Sequence, residues 1–406
     1  MGVAIPQVIT PSRATGAQVI DGSLKFDTSI DHYLTRTPSS DGNRKTWTLS
    51  AWIRRGDQGT ERRLFNAASA TDSSSTNPRT ELGVGGDGEV RLYLNNSGSS
   101  WDLFKTSALL RDTGWYHLVI ACDTTQTGAT NQKKIYINGV LQTDLGANAA
   151  TTEDADTPFN KSGYPHHIGA YSNTPTENSW DGNISQMYWI DGQQLGPENF
   201  GFTDPLTNTW KPKKFSGSFT NSSPNDGTTW SGQVTGSFYG GSYDETEMFD
   251  GSLSSVAQST GATWTTNIPF TTLRIYGQIY GAGSRSISVN GTDVTSQLGS
   301  DGDARAWHTI TGVSSPLTSI QWDGTSYVGA TPDLIGLSAI EIDGTILVDG
   351  ANYTGVNSFY LPFDGNSPIG QDQSGNGNDF TPVRFGGSLE LDNPQVSGAR
   401  PILNTT

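Results

Sequence analysis

Strict alternation of apolar and polar side chains is the feature of this sequence that most restricts its fold. In "WTLSAWI" one parity is entirely apolar: Trp47, Leu49, Ala51 and Ile53. A period of two residues is typical of a strand with one face toward a core. "YINGVLQ" and "WIDGQQL" place Asn-Gly and Asp-Gly between apolar runs, which is the strongest local signal for a hairpin. Because long helical periodicity is missing, we predict an all-β sandwich.

Composition supports this prediction. The chain has 406 residues, enough for two or three domains. Only 33% of them are hydrophobic, and 49 are glycine, which indicates many turns. Eleven Trp, 14 Tyr and 15 Phe argue against disorder, because disordered chains are poor in aromatic residues. Short aromatic strands joined by polar turns are the pattern of an all-β protein.

Charge and termini limit the partners and the location. The net charge of −16 makes a nucleic-acid backbone an unsuitable partner. No run approaches the roughly 18 apolar residues that span a bilayer, so we expect no membrane insertion. The N-terminus lacks a basic region followed by an apolar core, so we expect no signal peptide and synthesis in the cytoplasm. The single cysteine, Cys122, lies in an alternating run and is expected to be a buried thiol.

The first half of the chain carries a family resemblance. "GSLKFD", "TWTLSAWIRR", "GWYHLVIACDTT", "KKIYINGVLQ", "HHIGAYS" and "WDGNISQMYWIDGQQL" follow one another in order. They resemble the successive strands of laminin-G-like (concanavalin A-like) jelly rolls. The resemblance covers about residues 21–202 and implies a concanavalin A-like sandwich over 21–215, after an N-terminal arm, 1–20. This fold hosts lectins, adhesion modules, glucanases and viral surface proteins, so the fold alone does not identify a function.

A second strand series follows a Gly/Ser/Thr-rich stretch that begins at residue 216. "MFDGSLSS", several strands and a closing hairpin are similar to galactose-binding-like (discoidin-type) sandwiches. That similarity implies an accessory binding module over 216–350, an ordinary size for a domain.

The phrase "FYLPFDGNSPIGQDQSGNGNDF" then appears late in the chain. In laminin-G-like proteins a similar phrase often precedes the "SLKFD"-type strand. Either the second sandwich is inserted and 356–386 returns to pack on the first, or the phrase begins a further, truncated module. We favour the return, because too few residues follow it to form a domain; 387–406 would be a C-terminal tail.

The segments that flank the first sandwich suggest a biological setting. "IPQVITPSRATGAQVIDGSLKFD" and "LGPENFGFTDPLTNTWKPKKFSG" look like segments of structural proteins from tailed, especially marine, bacteriophages. This resemblance implies a virion-surface protein, a tail fibre or a capsid-surface fibre or decoration, that attaches to host polysaccharide. Its expected partners are other virion proteins and further copies of itself. The alternative is a purely architectural subunit that binds no glycan.

One loop has residues suited to sugar binding. Sugar-binding sandwiches stack pyranose rings on Trp or Tyr at loop rims, and Asn and Asp bond the hydroxyls. "AYSNTPTENSWDGN" supplies Tyr171, Asn173, Trp180 and Asp181 as candidates. The competing interpretation is that Trp180 simply caps the sandwich.

A metal candidate lies in "DQSGNGND". Asp372, Asn376 and Asp379 supply oxygen atoms of the kind that Ca²⁺ accepts, and Gly377 stands at the sharp turn of an EF-hand-like loop. Val383 replaces the expected bidentate Glu, and flanking helices are absent from the pattern. A plain Asn/Gly turn is the competing interpretation.

No motif supports catalysis. Retaining glycosidases need two carboxylates roughly 5 Å apart. "EIDGTI" supplies Glu341 and Asp343, but Ile346 stands where the acid belongs. Nucleophile elbows, Cys/His metal patterns and phosphate loops do not occur. We therefore expect a protein that is not an enzyme.

Overall fold

The structure is a computed structural model that describes residues 17–18, 20–69, 78–95, 102–171, 177–239, 241–281, 285–324 and 334–385. The described chain divides into two compact units. The first takes residues up to 221 and from 354 onward, and the second is 222–353. No helix in the described parts of the chain is long and apolar enough to cross a membrane.

The first unit is a sandwich of two antiparallel sheets. Its strands are β1 (Leu24–Phe26), β2 (Tyr33–Arg36), β3 (Thr46–Arg55), β4 (Arg62–Ala68), β5 (Arg79–Val84), β6 (Glu89–Asn95), β7 (Asp102–Leu109), β8 (Trp115–Asp123), β9 (Lys133–Ile137), β10 (Val140–Leu141), β11 (Leu145–Asn148), β12 (His166–Ile168), β13 (Gly182–Asp191), β25 (Phe359–Leu361) and β26 (Thr381–Val383). A seven-stranded sheet has the order β1-β13-β3-β8-β9-β10, with β25 also paired to β13. An eight-stranded sheet has the order β11-β7-β6-β5-β4-β12-β2-β26. One short helix, α1 (Ala129–Gln132), precedes β9.

Aromatic side chains fill the space between these sheets. Phe65 from the eight-stranded sheet stacks on Phe159 with ring centroids 4.8 Å apart, and Trp189 from the seven-stranded sheet lies 5.1 Å from Phe65. Trp47 stacks on Trp189 at 5.0 Å. The alternation of β3 therefore has its expected cause, since Trp47, Leu49, Ala51 and Ile53 are all in this core.

The late phrase supplies two strands of the first unit. Phe359, Tyr360 and Leu361 pair antiparallel with Trp189, Tyr188 and Met187, and β26 pairs with β2. Phe359, Leu361, Phe363 and Phe380 join the core between the sheets. The chain therefore returns to the first sandwich after residue 353.

The segment after β13 covers the outer face of the seven-stranded sheet. It contains a 3-10 turn (Pro197–Asn199) and a hairpin of β14 (Gly201–Thr203) and β15 (Trp210–Pro212). Phe200 and Phe215 pack on Tyr188, which itself stacks on Tyr360 at 4.2 Å. Both faces of the seven-stranded sheet are thus occupied by this unit's own residues.

The second unit is also β. Its strands are β16 (Val234–Phe238), β17 (Ala257–Ile268), β18 (Leu273–Tyr280), β19 (Arg285–Val289), β20 (Thr292–Asp293), β21 (Ala306–Ile310), β22 (Leu317–Gly324), β23 (Leu334–Ile342) and β24 (Thr345–Ile346). Three 3-10 turns accompany them: Ser231–Gln233, Glu245–Met248 and Thr295–Leu298. β17 joins two parts of the sheet, since its first residues pair with β23 and its later ones with β22. Trp230, Trp264 and Trp322 lie in the hydrophobic core of this second unit.

Candidate functional site

The outer face of the eight-stranded sheet carries an unusual set of charged side chains. In β5 and β6 the residues Leu82, Val84, Val90, Leu92 and Leu94 face the core, so the other parity faces outward. That parity consists of Arg79, Glu81 and Gly83 on β5 and of Glu89, Arg91, Tyr93 and Asn95 on β6. The strand register sets Glu81 opposite Tyr93, and Arg91 opposite Lys105 of β7.

These side chains form one chain of alternating charges, which we call the outer network: Arg79, Glu81, Arg63, Glu61, Arg91, Glu89, Lys105, with the rings of Tyr93 and Tyr171. The guanidinium of Arg63 lies 2.8 Å from Glu81 and 2.6 Å from Glu61. Arg91 reaches Glu61 at 2.8 Å and also pairs with Glu89. Arg79 reaches Glu81 at 2.8 Å. Four cations against three carboxylates leave the network at +1 in a chain of net charge −16.

Two tyrosine rings stack against the guanidinium groups. The centroid of the Tyr171 ring lies 5.5 Å from the guanidinium carbon of Arg63 and 5.2 Å from that of Arg79. Tyr93 lies 5.7 Å from Arg63 and accepts a 3.2 Å hydrogen bond from Arg91. Such stacking is favourable because the face of an aromatic ring is electron-rich. Burial raises the pKa of Tyr171, and the carboxylate of Glu81 raises it further, so the phenol stays neutral.

The inner part of the network is buried and its outer part is not. Arg63 is only 7% exposed and Glu81 only 1%, whereas Glu61, Arg91, Tyr93 and Lys105 are half-buried. Burial lowers the pKa of Arg63, but the carboxylates of Glu81 and Glu61 outweigh it, so the net shift is upward and the ion pairs persist. Buried pairs are costly unless they are well bonded. The buried members therefore hold the half-buried ones in fixed positions.

Gly85 makes room for one of these pairs. A Cβ atom there would lie 2.4 Å from the carboxyl carbon of Glu89 and 2.6 Å from Nε of Arg91. Burial raises the pKa of the Glu89 carboxyl, but the hydrogen bond from Arg91 outweighs it, and the net pKa is lowered. The outer network thus offers fixed donors, fixed acceptors and a ring at the surface. This combination suits a ligand with many hydroxyl groups.

Of the four residues proposed from the sequence for sugar binding, the three that the structure describes do not form one exposed site. Tyr171 is placed in the outer network, but its ring is covered. Trp180 is 1% exposed and belongs to the core, which corrects the expectation that it stacks on a sugar: its ring cannot reach a ligand. Asp181 is half-buried, and burial followed by the charge of Asp57 raises its pKa. Asn173 lies outside the described residues.

The three candidate metal ligands, Asp372, Asn376 and Asp379, are engaged in hydrogen bonds in the structure. Each carboxylate oxygen of Asp372 accepts two hydrogen bonds, from Tyr360 N and Ser374 N on one and from Ser374 Oγ and Asn378 N on the other. Asp379 accepts from Asp372 N at 2.8 Å, and Asn376 donates to the carbonyls of Gly355 and Ser358. Because these bonds use the lone pairs of Asp372, the loop is built as a turn that anchors β25. Among the described residues no group of three His, Cys, Asp or Glu side chains is placed to hold a metal.

A serine–histidine pair on the seven-stranded sheet is not a nucleophile and its base. Ser50 Oγ lies 2.9 Å from His117 Nε2. Trp210 Nε1 donates to His117 Nδ1 at 2.9 Å. Since an indole nitrogen can only donate, Nδ1 accepts and the proton is on Nε2, which donates to Ser50. The ring therefore cannot take the serine proton, and burial lowers the pKa of His117 to about 3.

The sequence contains a pattern that indicates the outer network, although this pattern is not among the motifs considered above. "RTELGV" and "EVRLYLNN" alternate apolar residues with charged or aromatic ones on two successive strands. Opposite charges two residues apart, Arg79 with Glu81 and Glu89 with Arg91, lie on one face of each strand and indicate ion pairs along that face. The partners from β4 and from residue 171 could not be found this way, because they are distant in sequence.

The fold of the first unit is a laminin-G-like, concanavalin A-like jelly roll. The family model of the concanavalin A-like lectin/glucanases superfamily matches residues 27–196. No curated protein matches the sequence of the chain.

Solved structures with low similarity include a carbohydrate-binding module of the Ruminococcus gnavus IT-sialidase (CBM40), at 14% identity and TM-score 0.34, covering 44% of this chain and 93% of that one. A heptameric SAP-like pentraxin from Limulus polyphemus has 16% identity and TM-score 0.31, with 44% and 80% covered. The enzymatically active domain of tailspike protein 2 from bacteriophage CBA120 has 14% identity and TM-score 0.30, with 46% and 31% covered.

Proposed function

We propose that this chain is a non-enzymatic structural protein of a bacteriophage virion, a tail fibre or a capsid-surface fibre or decoration, that adheres to glycans of the host surface. The observation that carries the adhesion part is the outer network. It combines fixed guanidinium and carboxylate groups with the half-buried Tyr93 on a jelly roll that matches a lectin and glucanase superfamily. The phage setting is supported by the resemblance of the segments flanking the first sandwich.

The network suits adhesion better than hydrolysis. Glu61 and Glu81 both bond to Arg63, and Glu89 bonds to Arg91. Glycoside hydrolysis needs a free, protonated carboxylic acid at the bond that breaks, whereas guanidinium groups engage all three of these carboxylates. Several copies on one particle would turn weak individual contacts into firm attachment, since linked sites multiply their effective concentration.

Binding of the purified chain to an array of bacterial surface oligosaccharides tests the adhesion. Tyr93→Ala removes the half-buried ring, and Glu61→Gln removes one acceptor charge. We expect each to weaken binding roughly tenfold, the size of one lost stacking or charged hydrogen-bond contact. Tyr116→Ala is the matched control, because Tyr116 is also a half-buried strand tyrosine and lies on the other sheet. Equal binding by all four proteins would contradict this site.

Two further measurements test the rest of the proposal. An array that stays blank for the wild-type chain would favour the architectural role. Release of reducing sugar from a bound polysaccharide would contradict the absence of catalysis. Electron microscopy of particles labelled with an antibody to this chain would show whether it lies on the virion surface, and on the tail or the capsid.

A further inference from the structure

The second unit has a half-exposed aromatic group on its sheet surface. In β18 the residues Leu273, Ile275 and Ile279 face the core, so Arg274 and Tyr276 face outward. The register sets Tyr276 opposite Trp307 of the edge strand β21, and their rings lie 5.3 Å apart at 60°. Both rings are half-buried. The core of this unit already contains three buried tryptophans, so Trp307 is not needed to fill it.

A charged pair borders these rings. Arg274 is opposite Glu341 of β23, and its Nη1 donates to both carboxylate oxygens at 2.9 and 3.0 Å. The guanidinium carbon lies 4.8 Å from the Trp307 ring centroid. The described residues offer no hydrogen-bond partner to Nε or Nη2 of Arg274, and its side chain is 33% exposed. Donors and acceptors therefore stand next to an aromatic surface.

We propose that Trp307, Tyr276, Arg274 and Glu341 form a second carbohydrate site, which binds a neutral hexopyranose of a polysaccharide. The C–H face of a pyranose would pack on the indole, and Arg274 and Glu341 would bond neighbouring hydroxyl groups. The ligand is expected to be neutral because the charges of Arg274 and Glu341 cancel each other, and because the chain as a whole has a net charge of −16. Uronic acids and phosphorylated sugars are therefore disfavoured. This site belongs to a different unit from the outer network and does not depend on it.

The test compares variants of the full chain on an array that contains both neutral and uronate-containing oligosaccharides, followed by titration calorimetry with the best neutral ligand. We expect Trp307→Ala to reduce affinity for neutral glycans roughly tenfold and Glu341→Gln to reduce it several-fold. Trp307→Phe keeps an aromatic face and should retain most of the affinity. Trp115→Ala is the matched control, because Trp115 is a half-buried strand tryptophan of the first unit.

The outcomes separate this site from the outer network. If Trp307→Ala keeps its melting temperature and binds all glycans like the wild type, the second site is wrong. If Trp307→Ala does not fold, Glu341→Gln decides, and unchanged binding of neutral glycans by that variant overturns the site. Loss of binding in Tyr93→Ala but not in the Trp307 variants supports the outer network alone. A preference of the wild type for uronate glycans that depends on Trp307 would overturn the neutral ligand.

Discussion

Buried histidines determine how the first sandwich responds to acid. Burial lowers the pKa of His117 to about 3 and that of His166 to about 3, from an ordinary 6.5. In that interval the unfolded chain binds protons that the folded one does not, so stability is complete above about pH 6.5 and is lost as the pH falls toward 3. Burial raises the pKa of Asp191 to about 7, which has the opposite sign and offsets part of this loss.

His117→Gln isolates one of these contributions. Glutamine can accept from Trp210 and donate to Ser50 as the imidazole does, but it does not titrate. We expect the free energy of unfolding to fall less steeply below pH 6.5 than in the wild type, by about 1.4 kcal/mol per pH unit. Hydrogen exchange of β3 amides in urea, measured from pH 4 to 7, gives this slope. Parallel curves for the two proteins would contradict this prediction, because they would show that His117 binds its proton equally well in the folded and the unfolded chain.

The candidate site shows what residue-level patterns can predict. Alternation in β5 and β6 is enough to place Glu81, Arg91 and Tyr93 outside the core. The burial of Trp180 was not predictable, because an aromatic residue in a Gly/Asn-rich loop fits a rim or a core equally well. Its position depends on the bond from Trp180 N to the Gly169 carbonyl and on packing between distant strands. Such packing has no local signature in the sequence.

At the scale of elements, the return strand β25 is a test of long-range packing. Phe359 is 1% exposed and stacks on Trp189 and against Phe380. We expect Phe359→Ala to lower the free energy of unfolding of the first sandwich by about 3–5 kcal/mol, the usual cost of such a cavity. Urea unfolding followed by exchange of β13 amides measures it. Val140→Ala is the control, because Val140 is 62% exposed and should change stability by less than about 0.5 kcal/mol.

The elements themselves were largely predictable. The all-β class follows from period-two alternation, and the hairpin at "YINGVLQ" is found as β9 and β10 with Asn138 and Gly139 at positive φ. The turn at Asp372 was predictable as an Asn/Gly turn, but its role was not. Four hydrogen bonds fix the Asp372 carboxylate, and one of their donors, Tyr360 N, belongs to β25 and lies outside the short loop pattern that suggested calcium.

At the scale of the whole molecule, the two ends of the first unit that flank the second unit lie next to each other. Asn221 N donates to the Thr354 carbonyl at 3.0 Å, and both residues belong to the first unit. A short loop can therefore replace residues 222–353 at little entropic cost, since closure entropy grows slowly with length. We expect this deletion variant to fold into the first sandwich, with the same exchange protection in β13 as the full chain.

A chain that ends at residue 353 should behave differently. It lacks the buried side chains of Phe359, Leu361, Ile369 and Phe380, whose burial contributes roughly 6–12 kcal/mol at about 1.5–3 kcal/mol each. That is close to the whole stability of an ordinary domain, about 5–15 kcal/mol. We expect the first sandwich of this truncated chain to lose its cooperative thermal transition and its protected β13 amides, while the second sandwich keeps its own transition. If the truncated chain melts like the deletion variant, the return segment is dispensable, and the first sandwich is complete before residue 222.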